Sequence, residues 1–389
     1  MQQTPLPTES ITLPAQAAKK GRTIYVAVPW SPAGGGMYKV ADYLIRAQAT
    51  NTPEHSAQLR PLDTRGPGAA WASFASLAKA LWKIVRGKID GDLAGVHVNM
   101  AERLSLFRKG MIVVTCYLLH VPVVVHLHAQ MKTFYRALPA PLKAAVRWMF
   151  SLASTVIVIG AGPRRFVVDE LGVDPRKVDI VINGVPGPAE APVRRIPRDG
   201  VRRVLFVGRL TDLKGVSDML EALAKARIDR DKVEVTFAGN GEVDRYKRMA
   251  KDLGIDSFID FAGWCDQAEI DEMMTRCNLL MLPSHDEVLP LVVLEALANS
   301  VAVVCTPVGE LPMVLSDGDN AKFVPVGDVG KLAQVLGELL ADDELLLQLG
   351  RNGRVLYEHQ FSMERFFTSV ARVHQRHFGI SARLPEVAE

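Results

Sequence analysis

The stretch PSHDEVLPLVVLEALANS, residues Pro283–Ser300, places two carboxylates, Glu287 and Glu295, with seven residues between them. An apolar run of strand length, residues 278–282, precedes it. Pro290 suits the first helical position, because its fixed φ is helical and its missing amide proton would be unpaired there. An apolar stripe at helical spacing follows: Leu291, Leu294 and Leu297. Strand, polar loop and helix in this order predict a ligand site at the carboxyl end of a parallel strand, with the helix start suited to an anion.

Two acidic residues at this spacing are also found at solvated helix starts, so the pair alone leaves both interpretations open. The stretch resembles the Glu-x7-Glu signature of family 4 retaining glycosyltransferases, in the subgroup with Leu-Pro after the first Glu. The resemblance implies that Glu287 lies beside the transferring sugar and that Glu295 accepts hydrogen bonds from the ribose hydroxyls. Since Pro290 has no amide to offer, the amides of Leu291 and Val292 would face the phosphate.

Composition and charge indicate two domains of different polarity. The 389 residues are 48% hydrophobic, enough for two cores. Residues 1–195 hold 24 Lys and Arg against 12 Asp and Glu, whereas residues 196–389 hold 22 against 31. A basic half can meet acidic lipid, lipid diphosphates or nucleic acid, or can simply be a solvated surface. The change in charge falls at a Pro-rich stretch, residues 186–200, which predicts a linker.

We therefore expect five segments along the chain. They are a mobile tail that is not a signal peptide (1–20), an acceptor-side Rossmann-like domain (21–188), a linker (189–200), a nucleotide-sugar-binding Rossmann-like domain (201–360) and a segment with a helix that the resemblance directs back to the first domain (361–389). No apolar run has membrane-spanning length. The cysteines lack CxxC spacing and are predicted to be core thiols in a reducing cytoplasm: Cys116, Cys265, Cys277 and Cys305.

A glycine loop follows the first predicted strand, Thr23–Val28, and precedes a helical pattern over Met37–Ala47. Gly35 and Gly36 end the loop at the helix start, where a backbone without Cβ atoms can approach a phosphate closely. The spacing is not GxGxxG, so a dinucleotide fold is not indicated. A glycine loop on its own is also an ordinary turn.

A second amphipathic pattern covers Trp71–Lys88 and has two interpretations. The helix either touches a membrane surface or packs on a sheet, because both environments favour one apolar face. The predicted apolar face consists of Trp71, Phe74, Ala78, Leu81, Trp82 and Val85.

Two strand ends in the first half carry polar residues. Strand alternation puts His126 and His128 on one face, which would suit a metal if a third ligand were present. The segments GVHVNMAERLS (95–105) and VPVVVHLH (121–128) resemble loops of the same glycosyltransferase subgroup. That resemblance implies that His128 lies beside the donor sugar and acceptor and that His126 is a hydrogen-bonded core residue. Asn99 and Arg103 are predicted on the acceptor side.

The second half opens with a strand at 203–207 and a loop that contains Arg209 and Lys214. Such a basic pair can bracket a diphosphate, the guanidinium by a bidentate fork and the ammonium as a point charge. In the family this segment holds the leaving nucleotide diphosphate. Gly241 matches the family's Gly-x-Gly loop near the nucleotide, and Trp264 is either a neighbour of the base or buried.

Both halves alternate strands and helices with crossover connections, which predicts parallel sheets. We expect an α/β protein with two Rossmann-like domains facing across a cleft, the GT-B architecture. The two Asp-Gly-Asp strings, Asp90–Asp92 and Asp317–Asp319, fit turns better than metal sites, so neither a metal nor a cofactor is expected.

The expected activity is retaining, metal-independent transfer of a hexose from a UDP- or GDP-linked sugar to a saccharide acceptor, and we expect this acceptor to be linked to a lipid diphosphate. Such a reaction belongs to exopolysaccharide or lipopolysaccharide assembly. Expected partners are the donor, the acceptor and an anionic membrane surface at the inner face of the cytoplasmic membrane, with no nucleic acid. The alternatives are a GT-B nucleotide-sugar epimerase and a non-catalytic nucleotide-binding module.

Overall fold

The computed structural model of the chain describes residues 22–31, 35–49, 56–66, 73–195 and 199–385. In these residues, two parallel six-stranded sheets are covered by helices. The predicted α/β architecture with parallel sheets is therefore confirmed. The predicted tail (1–20) and Trp71 lie outside the described residues.

The first sheet lies in the basic half of the chain. Its strands are β1 (Arg22–Val28), β2 (Ala57–Asp63), β3 (Leu93–Met100), β4 (Val123–Leu127), β5 (Thr155–Val158) and β6 (Val178–Ile180). They pair in parallel in the order β2-β1-β3-β4-β5-β6. Every residue of β4 is buried, as expected for a central parallel strand with both faces covered.

The helices of this domain connect successive strands. They are α1 (Gly35–Arg46), α2 (Ser73–Ile89), α3 (Leu104–Leu118), α4 (Met131–Ala137), α5 (Ala140–Ser151) and α6 (Ala161–Arg165). Helix α2 buries Leu77, Ala80 and Ile84, whereas Phe74 and Trp82 are exposed. The predicted apolar face was therefore wrong. The smaller stripe three to four residues apart packs on the sheet, and the large aromatic residues point outward.

The second sheet lies in the acidic half. Its strands are β7 (Arg202–Val207), β8 (Val233–Ala238), β9 (Ile259–Gly263), β10 (Leu279–Leu282), β11 (Ala302–Cys305) and β12 (Lys322–Phe323). They pair in parallel in the order β12-β11-β10-β7-β8-β9. The central strand β10 leads directly into the segment that contains Glu287.

The helices of the second half are α7 (Val216–Lys225), α8 (Val243–Asp252), α9 (Gln267–Arg276), α10 (Leu291–Ala298), α11 (Leu311–Val314), α12 (Val329–Ala341), α13 (Asp343–Leu356) and α14 (Met363–Phe378). Pro290 adopts an extended ψ of 123° and precedes α10. The prediction that Pro290 is the first helical residue was off by one position. Its extended ψ makes it the N-cap, the last residue before the helical turn.

Helix α14 packs against the first sheet. Gly95 of β3 faces Phe378 so closely that a Cβ there would lie 2.5 Å from the ring. At the surface, Arg376 Nη1 donates to Asp179 Oδ1 at 2.8 Å. The end of α14 is thus attached to the domain opposite the one that it follows in sequence.

Three of the predicted core thiols are buried, namely Cys116, Cys277 and Cys305. Burial raises the pKa of Cys116 and of Cys277 to about 12, so these thiols stay protonated and unreactive. Cys265 is the exception, because it is only half-buried and lines the cleft between the domains.

Candidate active site

Two neighbouring cavities lie in the cleft between the domains. The inner cavity, about 400 Å³, has Gly36 of the first domain on one side and Glu287 of the second on the other. The outer cavity, about 630 Å³, lies between α1 and the segment after β9 and has Trp264 in its wall. Lys39 lines both, so the two cavities share a wall.

The inner cavity brings together most of the predicted site residues. Its lining includes Gly35, Gly36, His128, Lys214, Glu287, Leu291, Val292 and Glu295. These residues come from four separate stretches of sequence, which meet because the carboxyl ends of parallel strands point to one edge of each sheet. Trp264 is exposed and lines the outer cavity, so the alternative that it is buried is wrong.

Four predicted site residues lie outside the described lining of both cavities. Asn99 is buried and bonded to His128. The side chain of Arg209 is exposed at the end of β7, near the inner cavity but not in its described lining. Gly241 has a φ of +131°, and a Cβ there would lie 2.3 Å from the Leu210 carbonyl oxygen, so it permits two loops to touch. Arg103 lines a groove on the outer surface of the first domain.

Lys214 and Glu287 form an ion pair at the floor of the inner cavity, between Lys214 Nζ and Glu287 Oε1. The same carboxylate oxygen accepts a hydrogen bond from Ser284 Oγ at 3.2 Å. The resemblance implied separate roles for the two residues, with Lys214 at the diphosphate and Glu287 at the sugar. Because the two groups are in contact, the ammonium and the carboxylate form a single ion pair and do not face the cavity as separate charges.

Two glycines permit this ion pair. A Cβ on Gly215, which has a φ of +71°, would lie 2.0 Å from the Pro283 carbonyl oxygen. On the other side, a Cβ on Gly309 would lie 2.2 Å from the Glu287 carbonyl oxygen. Any side chain at either position would push its loop away from the Glu287 segment. Gln130 of the first domain also donates to the Glu287 carbonyl oxygen, at 2.7 Å.

The start of α10 lies directly beside the glycine loop. A Cβ on Gly36 would come within 3.7 Å of the Leu291 side chain, so the loop backbone and the helix start face one another. The first-turn amides of Leu291 and Val292 have no intrahelical acceptor, and they carry the positive end of the helix dipole. An anion between loop and helix would therefore meet backbone donors.

Glu295 lies one turn further along α10, and its side chain is only 5% exposed. Its Oε1 is 3.0 Å from the Tyr43 hydroxyl and 3.3 Å from Lys39 Nζ, both on α1 of the first domain. Its Oε2 is buried without a hydrogen-bond partner in the described part of the chain. One oxygen is thus held across the cleft, and the other is left for a ligand or water.

Tyr43 and Lys39 were missed by sequence analysis. Burial and the neighbouring Glu295 carboxylate raise the pKa of Tyr43, so the phenol stays protonated and donates. Gln267 Oε1 is a second acceptor for the phenol at 3.2 Å, from the edge of the outer cavity. The only signal in the sequence was the spacing of four residues on the helix after the glycine loop, which puts both side chains on one face.

His128 lines the inner cavity from the first domain. Its Nε2 lies 2.7 Å from Asn99 Oδ1, and with that amide orientation the ring donates through Nε2 and presents Nδ1 as an acceptor. Burial lowers the pKa of His128 to about 3, so the ring is neutral at physiological pH. A neutral imidazole here can exchange hydrogen bonds with hydroxyl groups but supplies no charge.

Behind His128, a chain of buried histidines leads to α14. The His126 ring centroid is 4.0 Å from that of His128, and His126 Nδ1 is 3.2 Å from His97 Nε2. His97 Nδ1 in turn is 2.8 Å from His374 Nε2. The prediction of a hydrogen-bonded core His126 is confirmed, whereas His97 and His374 were not foreseen.

A further contact across the cleft involves Glu310. This buried carboxylate accepts a hydrogen bond from the Gly162 amide at 3.1 Å, at the start of α6. Over the described residues, no group of three or more His, Cys, Asp or Glu side chains has an arrangement that could hold a metal ion. Both Asp-Gly-Asp strings form turns, with Gly91 and Gly318 at positive φ.

Comparison with known proteins gives concordant results. Residues 192–356 match the family Glycosyl transferases group 1. The D-inositol 3-phosphate glycosyltransferase of Gordonia bronchialis is 29% identical over 241 residues, 57% of this chain and 52% of that protein. The lipopolysaccharide core biosynthesis glycosyltransferase LpsE of Rhizobium meliloti is 30% identical over 178 residues, 46% of this chain and 48% of that protein. The chain thus spans about half the length of these curated relatives.

Among solved structures, the crystal structure of Anabaena HepE in complex with UDP has a TM-score of 0.70 to this chain. The match covers 91% of this chain and 100% of that one at 15% sequence identity. At that identity the likeness shows the fold, which is GT-B. The predicted GT-B fold is therefore confirmed, and the resemblance to this group of glycosyltransferases is supported over residues 192–356.

Proposed function

We propose that this chain, whose second domain belongs to the group 1 glycosyltransferases, moves a hexose from a nucleotide diphosphate to a saccharide acceptor with retention of configuration. The observation that carries the proposal is the inner cavity. A glycine loop, a free helix start, the Lys214–Glu287 pair and the unpartnered oxygen of Glu295 all face it. Together they offer complementary groups for a diphosphate, a sugar and a ribose.

The two cavities suggest how a donor would lie. The diphosphate fits between Gly36 and the start of α10, where backbone amides are free. The ribose then reaches Glu295, whose Oε2 can accept a hydroxyl proton while Tyr43 holds Oε1. The base would extend toward Trp264 in the outer cavity. The UDP complex of HepE supports a nucleotide diphosphate in such a cleft, but the choice between UDP and GDP is open.

In the proposed reaction, the bond between the anomeric carbon and the phosphate oxygen breaks, and the electron pair leaves with the diphosphate. Lys214, the α10 helix start and the exposed Arg209 can stabilise that charge without a metal or a cofactor. Glu287 stays within contact of Lys214, so its carboxylate can balance the positive charge that develops on the sugar.

Retention without an enzyme nucleophile requires the acceptor to attack from the side that the leaving group vacates. The acceptor hydroxyl forms the new bond to the anomeric carbon, and its proton passes to a phosphate oxygen of the departing diphosphate. His128 lies on the first-domain side of the inner cavity, where it can orient hydroxyl groups of sugar and acceptor, and the buried Asn99 accepts a hydrogen bond from its ring. Since burial keeps His128 neutral, its contribution is positioning through hydrogen bonds.

The acceptor we propose is a lipid-diphosphate-linked saccharide of exopolysaccharide or lipopolysaccharide assembly. The excess of Lys and Arg in residues 1–195 supports it, since such acceptors are anionic and lie in anionic membranes. The relative LpsE acts in lipopolysaccharide core biosynthesis. No helix among the described residues is long and apolar enough to cross a bilayer. We place the chain at the cytoplasmic face of the membrane, bound peripherally.

A panel of nucleotide sugars tests the donor. In thermal-shift measurements, a ligand at 100 times its dissociation constant stabilises the folded state by about 2.7 kcal/mol, which is readily detected. The donor that stabilises wild type should give a smaller shift with Glu295→Ala at the same concentration. Stabilisation by free nucleotides alone, with no sugar released or transferred in the presence of acceptor, would instead indicate a nucleotide-binding module. Isomerised donor would indicate an epimerase.

A further inference from the structure

Helices α3 and α5 of the first domain have apolar residues on the side that faces solvent. On α3, the exposed side chains recur every three to seven residues: Leu104, Phe107, Met111 and Leu118. On α5, Leu142 and Trp148 are exposed in the same way. Both helices also bury an opposite apolar face against the domain core. An apolar face left in solvent indicates a binding surface, so we expect a partner to cover the solvent-facing sides of these two helices.

Phe107 and Met111 of the first stripe and Leu142 and Trp148 of the second line a groove between the two helices. It has a volume of about 490 Å³, within the range of about 300–1,000 Å³ that is typical of small-molecule sites. Small residues, Gly110 and Ala145, form part of its lining, and Phe107 and Trp148 rise beside them. Arg103 is the one charged residue in the described lining. A groove of this composition fits a hydrocarbon chain better than a polar ligand.

The surroundings of the groove are predominantly basic. Residues 103–168 contain nine Lys and Arg and no Asp or Glu. Of these, Arg103, Lys132 and Arg147 are exposed beside the groove. Two acidic residues just outside this stretch pair with it, Glu102 with Arg103 at 3.5 Å and Glu170 with Arg136 at 2.9 Å. An apolar groove with an excess of positive charge around it is complementary to a lipid with a negatively charged head group.

The groove and the inner cavity are lined by residues that are neighbours in the chain. Ala101 lines the inner cavity, and Arg103, two residues further along the chain, lines the groove. On the other side, a third cavity of about 230 Å³ contains Lys132, and Phe134 two residues later belongs to the groove. A ligand with its charged head near Arg103 and Lys132 can therefore have its sugar in the cleft and its chain in the groove.

We propose that the groove between α3 and α5 receives the hydrocarbon chain of a lipid diphosphate, the carrier of the acceptor saccharide. This inference rests on the proposed function and adds the part of the chain that would recognise the lipid. The hydrocarbon chain enters the groove, and this distinguishes the proposal from a domain surface that only touches a bilayer.

Binding of soluble prenyl diphosphates to the full chain tests the proposal without knowledge of the sugar. The probes are farnesyl diphosphate, geranyl diphosphate and inorganic diphosphate, measured by titration calorimetry below their aggregation concentrations. We expect farnesyl diphosphate, with five more carbons than geranyl diphosphate, to bind at least about tenfold more tightly, the ratio for burying about two methylene groups. Equal affinities for the three probes would overturn the proposal.

Two exposed tryptophans supply matched variants. Trp148 lies in the groove and is 54% exposed, whereas Trp82 on α2 is 61% exposed and outside its lining. Trp148→Ser should weaken farnesyl diphosphate about tenfold and leave inorganic diphosphate unchanged, and Trp82→Ser should leave both unchanged. Because both side chains are exposed, neither change should prevent folding. Equal losses in the two variants would contradict a specific groove.

A substitution that fills the groove separates chain capture from contact with a bilayer. Ala145→Trp should abolish the difference between farnesyl and geranyl diphosphate. If Ala145→Trp keeps that difference, while Trp148→Ser loses sedimentation with phosphatidylglycerol vesicles, the face is a bilayer contact and the proposal is wrong. These binding readouts need no turnover. If the protein discriminates between prenyl lengths but transfers no sugar, the proposed function is refuted and the proposed role of the groove still holds.

Discussion

The two glutamates of the Glu-x7-Glu motif differ in where their partners come from. Glu287 pairs with Lys214, which belongs to the same domain and lies in a loop that glycines hold against it. Glu295 is held by Tyr43 and Lys39, which belong to the opposite domain. The side-chain partners of the first end therefore come from the second domain alone, whereas those of the second end meet it only when the cleft is closed. This contrast predicts different kinetic consequences at the two ends.

The largest effect is expected at Lys214, the only cation paired with Glu287 among the described residues. Lys214→Ala should lower kcat by roughly two to three orders of magnitude, the scale for loss of one group that stabilises transition-state charge. It also leaves Glu287 without its counter-ion. Steady-state kinetics with saturating donor measure the effect. Unchanged turnover would show that the Lys214–Glu287 end does not take part in the chemistry.

The next effect separates the two glutamates. Glu295→Ala should raise the donor KM by roughly 10- to 150-fold with little change in kcat, because a charged hydrogen bond of about 1.5–3 kcal/mol to the ribose is made equally in ground and transition states. Glu287→Gln should lower kcat more than it changes KM. The reverse pattern, with Glu295→Ala mainly lowering kcat, would invert the roles that we propose.

A smaller effect is expected from the cross-cleft hydrogen bond. Tyr43→Phe keeps the ring but removes the proton donated to Glu295 Oε1, so donor KM should rise roughly five- to tenfold, the equivalent of about 1 kcal/mol. In a Glu295→Ala background the same change should add nothing, because the partner is gone, whereas with Glu287→Gln the two effects should add. A lower KM in Tyr43→Phe would mean that the tyrosine competes with the donor.

The last effect concerns the pH dependence of stability and another cross-domain contact, between His97 and His374. Burial lowers the pKa of His97 to about 4 and that of His374 well below its usual value. The unfolded chain therefore binds protons below about pH 6.5 that the folded chain does not, and stability is lost as pH falls from about 6.5 towards 4. Each buried histidine contributes at most about 1.4 kcal/mol per pH unit in that window.

Urea midpoints at pH 7.0 and 5.0 measure this loss. His374→Phe should reduce the pH dependence by the share of one histidine, although His97, His126 and His128 still titrate. The half-buried His377 adds a weaker shift in the same direction. Lys109, whose pKa burial lowers to about 7, titrates mainly above this window, and the small loss that it adds near pH 7.0 is the same in His374→Phe. A midpoint independent of pH between 7.0 and 5.0 would show that these histidines are not buried as neutral rings in solution.

The same contrast explains why one half of the site was easier to predict. Local patterns predict four residues of the site. The patterns are a basic residue after a strand and an acidic pair around a helix start, and the residues are Lys214, Glu287, Leu291 and Glu295. The glycine loop at Gly35 and Gly36 is equally local. Each of these features depends on residues within one strand-loop-helix unit, so the sequence of that unit is enough to predict it.

By itself, the sequence determined the two parallel sheets, the position of the cleft at their carboxyl ends and eight of the residues that line the inner cavity. The tertiary structure alone decided that Glu295 meets Tyr43, 252 residues away, that His374 joins His97, and that α3 leaves a second apolar stripe in solvent. Hydrophobic periodicity reports whether a residue lies on an apolar face, but not which element covers that face. That choice is made only when distant segments pack together.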